Sequence, residues 1–138
     1  MDVGPNTAAQ ALPGGTESIL LIEDESSVRQ VIVATLGRLG YRVVEAASGH
    51  AALDTWQKLE GKFDLVLTDM ALPEGITGWE LCNRFKAQNP GLKVIIMSGY
   101  SVIIAKNTWP AGAQVTFLPK PFTPQVLAQT IRESLDCP

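Results

Sequence analysis

No stretch of this chain approaches the roughly 18 consecutive apolar residues that a membrane-spanning helix needs, so no bilayer span is expected. The first residues show no charged segment running into an apolar one, so a signal peptide is not expected either. Cysteine is scarce. Cys82 and Cys137 stand far apart and match no metal spacing, which argues against a zinc site and for a reduced, cytoplasmic setting. Basic residues are few and unclustered: 11 Lys and Arg against 14 Asp and Glu give a net charge of −3, so direct nucleic-acid binding is not expected. The single histidine, His50, sits at a helix start, and no helical bundle is present to carry it as a phospho-donor. What the 138 residues do hold is 46% hydrophobic and 18% charged, the balance of a globular domain with a real core.

Residues 1–16 mix Gly, Pro, Ala, Asn and Gln without periodicity and read as a disordered lead or linker, with the domain over 17–138. Strands and helices then alternate. S-I-L-L-I (Ser18 to Ile22) is a short continuous apolar run, as expected of a strand covered on both faces. Ser26 and Ser27 can cap a helix that Gly40 stops. A second strand is expected over Tyr41 to Ala46, and a helix opened by Ser48 and Gly49 carries Trp56 as a packing residue. Phe63 to Asp69 is the third strand. A loop with Pro73 and Gly75 leads to a helix that starts at Thr77 or Gly78 and ends at Gln88. Lys93 to Ser98 and Val115 to Leu118 are strands four and five. The segment between them has poor helix propensity and is expected to hold a short helix from about Ser101 to Thr108. Thr123 caps the last helix, with Pro124 at its first position. Five strand–helix units in alternation predict an α/β fold: a three-layer, flavodoxin-like, doubly wound parallel sheet of strand order 2-1-3-4-5.

In such a fold, chemistry gathers beyond the carboxyl ends of the strands. There the first strand closes on Glu23-Asp24, the third on Asp69, the fourth on Ser98 and the fifth on Leu118-Pro119-Lys120. Strands one and three are neighbours in this order, so three carboxylates converge. At an effective dielectric of about 20 they repel one another strongly. An oxygen-only donor set suits a hard divalent ion, Mg2+ rather than Zn2+. A lysine and a hydroxyl at the same edge complete a phosphoryl site, with Asp69 placed to attack phosphorus.

The residues in question are Glu23-Asp24, Asp69 in L-T-D-M-A-L-P, Ser98 in M-S-G-Y and Lys120 in L-P-K-P-F. Through them the chain resembles the receiver domain of a two-component response regulator over roughly Glu17 to Leu135. It looks most like receivers attached to hybrid sensor histidine kinases. The resemblance implies that Asp69 accepts a phosphoryl group from a histidine kinase or histidine phosphotransfer domain, in a transfer the receiver itself catalyses. It implies that Asp24, Asp69 and the Ala71 carbonyl ligate Mg2+, with Glu23 acting through bound water. It implies that Lys120 reaches the phosphoryl oxygens, that Lys120-Pro121 is cis, and that Ser98 and Phe117 form a switch pair. The switched surface would be the fourth helix, fifth strand and last helix, read by an output domain or a separate effector protein.

Some residues depart from the family pattern. Phe117 stands where many relatives have tyrosine, and the A-L-P-E-G-I-T-G loop is about one residue longer than the commonest form. Ala71 has no side chain to orient an attacking water, and Tyr100 could shield an acyl phosphate, so a long-lived phosphorylated state is expected. Each motif alone has an ordinary reading: Glu23-Asp24 as a solvated turn, Lys120 as a surface charge, Phe117 as core. A haloacid-dehalogenase-type phosphatase would need an acid at position 71. A flavodoxin-like cofactor binder would need a glycine-rich phosphate loop where E-D-E-S stands. The alternative that keeps the fold is a degenerate receiver acting only as a protein-interaction module.

Overall fold

The computed structural model describes residues 12–99 and 115–137. The expected helix at about Ser101 to Thr108, and with it Tyr100, lies outside them. The elements are β1 (Ser18–Ile22), α1 (Ser26–Arg38), β2 (Arg42–Ala46), α2 (Gly49–Lys58), β3 (Leu65–Asp69), a 3-10 turn (Pro73–Gly75), α3 (Gly78–Gln88), β4 (Lys93–Gly99), β5 (Thr116–Lys120) and α4 (Pro124–Asp136). All strand pairs are parallel and the order is β2-β1-β3-β4-β5, as expected.

The two sheet faces follow from the period of two along each strand. Leu20, Ile22, Val66, Val94 and Ile96 point to one side and pack with Trp56, Leu81, Cys82 and Phe85 of α2 and α3. Ile19, Leu21, Leu65, Leu67, Ile95 and Met97 point to the other and pack with Ile32, Leu36, Leu127 and Ile131 of α1 and α4. Trp56 and Phe85 stack with centroids 4.1 Å apart, and the indole N–H donates to Gln88 Oε1 at 2.8 Å, so the buried ring keeps its polar atom satisfied. Burial pushes the Cys82 thiol up, which makes it an inert core residue; Cys137 is exposed. Truncating a fully buried centre-strand residue such as Leu67 to Ala costs about 2–5 kcal/mol.

Helix ends are set locally. Ser48 accepts from the Ala51 amide, Thr77 and Glu80 form a reciprocal capping box, and Thr123 accepts from the Val126 amide with Pro124 next. The start of α1 differs from expectation. Its N-cap is Glu25, without a side-chain cap bond, and Ser26 is already helical. The Glu25 amide instead donates to the Glu23 carboxylate at 3.1 Å. The strand bounds also differ. Phe63 and Asp64 precede β3 because the Phe63 amide closes a turn on Gly61 and the Asp64 carboxylate accepts from the Ser18 amide. β5 runs on through Pro119 to Lys120. It is an edge strand, where a proline without an N–H is tolerated.

Residues 12–16 carry no helix or strand, yet the chain is held ahead of Glu17. The Gly15 amide donates to Leu39 O at 3.1 Å, and Arg132 donates to Gly14 O at 3.0 Å.

Candidate functional site

Register brings the strand ends together. Ile22 pairs with Thr68, so Glu23 and Asp24 emerge beside Asp69; Asp69 pairs with Met97, and Gly99 with Lys120. One oxygen each of Glu23, Asp24 and Asp69 lie within 4.8 Å of one another. Lys120 Nζ donates to Asp69 Oδ2 at 3.0 Å and to Glu23 Oε1 at 3.2 Å. Four of the residues expected at the site are therefore in one pocket.

Glu23 is the fixed member, with 1% of its surface exposed. Each of its polar atoms is engaged. Its amide donates to Ala46 O at 3.1 Å. Oε2 accepts from the Glu25 amide at 3.1 Å, Oε1 from Lys120, and its carbonyl from Arg29 Nη1 at 2.7 Å. Asp69 is half-buried and Asp24 exposed. The backbone beyond Asp69 is held by Met70 N donating to Met97 O and Gly78 N to Met70 O, both at 2.9 Å.

Burial raises the Glu23 carboxyl above its ordinary value; the Glu25 amide opposes this and the nearby Asp69 charge adds to it. Burial alone would lower the Lys120 ammonium, but its bonds and charge contacts with Asp69 and Glu23 prevail and hold it above its ordinary value. Lys120 is thus a permanent cation facing several acids. One ammonium against three carboxylates leaves the pocket acidic, and its donors are all oxygen. That combination fits a hard divalent cation such as Mg2+.

Ser98 is buried at the end of β4, paired with Pro119. Phe117 is half-buried, pairs with Ile96 and packs on the α2–α3 side of the sheet. Strand alternation puts Ser98 on that same face. Ala71 is exposed, two residues past Asp69. The Lys120-Pro121 peptide is cis. Arg29 was not singled out from the sequence. It sits at the start of α1, where the helix dipole disfavours a cation, and that is the one signal that it has compensating partners.

A doubly wound parallel sheet with three carboxylates and a lysine at its carboxyl edge defines a class of phosphoryl-accepting signalling domain. A family model described as the response regulator receiver domain matches residues 19–132, and the chain belongs to that family, the phospho-accepting modules of two-component signal transduction. Among its relatives, the sensor kinase CckA of Brucella abortus is 40% identical over 122 residues, which are 88% of this chain and 13% of the kinase. The response regulator receiver protein CpdR of the same species is 32% identical over 85% of this chain and 95% of its own length. A crystal structure of the receiver domain from the hybrid histidine kinase CckA superposes with a TM-score of 0.73 at 34% identity, covering 86% of this chain and 99% of that one. The chain thus spans a small part of some relatives and nearly all of others. Receivers in general bind Mg2+ at an acidic pocket and work with histidine kinases or phosphotransfer proteins and with output domains. Among the described residues, no helix is long and apolar enough to cross a membrane.

Proposed function

We propose that Asp69 is the phospho-acceptor and that the chain switches an output by carrying an acyl phosphate there. An Asp69 carboxylate oxygen attacks the phosphorus of a partner phosphohistidine. The P–O bond forms as the P–N bond breaks, and the imidazole leaves with the electron pair and takes a proton from solvent. Lys120, already on Asp69 Oδ2, is placed to neutralise the equatorial oxygens as charge spreads over them. Asp24, Asp69 and the Ala71 carbonyl would hold Mg2+, with Glu23 acting through water; the ion supplies further charge neutralisation at the phosphoryl group. Ser98 would donate to the phosphoryl group, and the Phe117 ring would follow it inward.

The observation that carries this reading is Lys120 bridging Asp69 and Glu23 inside the three-acid pocket. The donor is a histidine kinase or histidine phosphotransfer domain in the cytoplasm. The readout is the side of the domain that carries β5 and α4, presented to an output domain or effector protein. A hybrid histidine kinase is the favoured setting, since a receiver domain from such a kinase is among the similar solved structures. Incubation with a small acyl phosphate and Mg2+ should add one phosphoryl group by intact mass, and Asp69→Asn should abolish it. Equal labelling of Asp69→Asn would overturn the assignment.

A further inference from the structure

We infer that Arg29 is a positioning residue for the cation pocket, acting through the peptide that joins Glu23 to Asp24. This rests on the Mg2+ reading of the site. Arg29 is the fourth residue of α1, where a cation is disfavoured by about 0.3–1 kcal/mol. Its guanidinium is mostly covered, with 18% of the side chain exposed, and both arms are used. Nε donates to Glu45 Oε1 of β2 at 3.0 Å, and Nη1 donates to Glu23 O at 2.7 Å. The planar fork makes both bonds at once; a lysine has no such fork.

The geometry gives the carbonyl bond its importance. Glu23 O and the Asp24 amide belong to one planar peptide unit, so fixing the carbonyl direction fixes the direction in which Asp24 departs. Every other polar atom of Glu23 is held by Ala46, Glu25 or Lys120. Asp24, by contrast, is exposed. The bond from Arg29 is therefore the anchor next to the one carboxylate ligand that lacks burial to hold it. Glu45 completes the device. It pairs in register with Leu21 of β1 and so ties the Arg29 fork to the sheet. Arg29 touches no reacting atom. Its effect is to keep Asp24 within reach of a shared ion, which a free turn would do for only part of the time.

The test is titration calorimetry with MgCl2 alone on the chelator-stripped chain, with melting curves in EDTA and in Mg2+. Arg29→Ala should weaken Mg2+ binding about tenfold. It should also shrink the Mg2+-induced rise in melting temperature by more than it lowers melting in EDTA. Arg29→Lys, which can still reach one acceptor, should recover part of the affinity, and Glu45→Gln should weaken binding less than Arg29→Ala. A purely structural arginine would lower melting in EDTA and leave Mg2+ affinity unchanged, and that result overturns the inference. Where Arg29→Ala fails to fold, Arg29→Lys and Glu45→Gln both binding like the parent overturns it. A parent chain that binds no Mg2+ sinks the reading of the pocket and this assignment together. A parent that binds, beside an unaffected Arg29→Ala, sinks this assignment alone.

Discussion

Gly78 lies against the backbone of Asp69 with no space for a side chain between them. A Cβ at Gly78 would overlap the Asp69 carbonyl oxygen and stand 3.1 Å from its carbonyl carbon and 3.0 Å from Thr68 Cγ2. The helix start is thus packed directly onto the acceptor's own peptide. Gly78→Ala should push α3 away from β3, lower stability by about 1–3 kcal/mol, and slow labelling by a small acyl phosphate. Gly37 is the contrast: it lies within α1 with nothing within 4 Å of an added Cβ. Gly37→Ala should add about 0.5–1 kcal/mol and leave labelling unchanged. Denaturant unfolding and the rate of mass gain check both.

Lys120 should be indispensable for transfer and insensitive to pH. Lys120→Met should slow labelling by about 10²–10³-fold, the usual loss when one preorganised charge partner is removed. Because Asp69 and Glu23 hold its ammonium above the ordinary 10.5, no fall in rate traceable to Lys120 should occur on raising the pH toward that value. Rate–pH profiles of the parent chain check this.

Glu23 should trade stability for cation binding. Its folded value lies above the unfolded 4.5, chiefly through burial, so the folded chain binds that proton more tightly than the unfolded chain. The stabilisation is present below 4.5 and is lost as the pH rises through the raised value. At pH 7 without Mg2+ the ionised group is therefore a burden. Glu23→Gln should melt a few degrees higher in EDTA at pH 7, with the difference closing in acid, while binding Mg2+ more weakly.

Glu17 should show the opposite sign. The Arg132 hydrogen bond holds its carboxyl below the ordinary 4.5 against an opposing effect of burial. Arg132 Nη2 lies 2.7 Å from Glu17 Oε2 and 2.8 Å from Asp136 Oδ1, and Nη1 reaches Gly14 O. The stabilisation is present above 4.5 and is lost as the pH falls through the depressed value. Glu17→Gln should cost about 1 kcal/mol at pH 7, a value reduced by solvent screening, and little at pH 3. Urea midpoints at the two pH values check this.

Much of the site is legible in the sequence because it depends on strand ends. Once Ser18–Ile22 and Leu65–Asp69 are recognised as buried neighbours, Glu23 and Asp69 must meet, whatever the side chains between them do. Arg29 is not legible in this way. Its partners are a backbone carbonyl, which has no letter, and Glu45, 16 positions away on a strand whose register is set only in three dimensions. The end of β5 was hidden by Pro119, whose missing N–H argues against a strand until the strand is known to be an edge. The seat of Gly14 and Gly15 was hidden because it uses backbone atoms, and Gly-rich composition alone suggests slack chain.

That seat also puts the approach to β1 at the pole of the domain away from the acids. Gly14 and Gly15 are fastened beside Leu39 and Arg132, where the strands begin, whereas the acids stand where the strands finish. A five-residue strand such as β1 separates the two poles by about 17 Å. A reporter joined at Leu12 would therefore be attached beside that seat, on the opposite edge of the sheet from the acids.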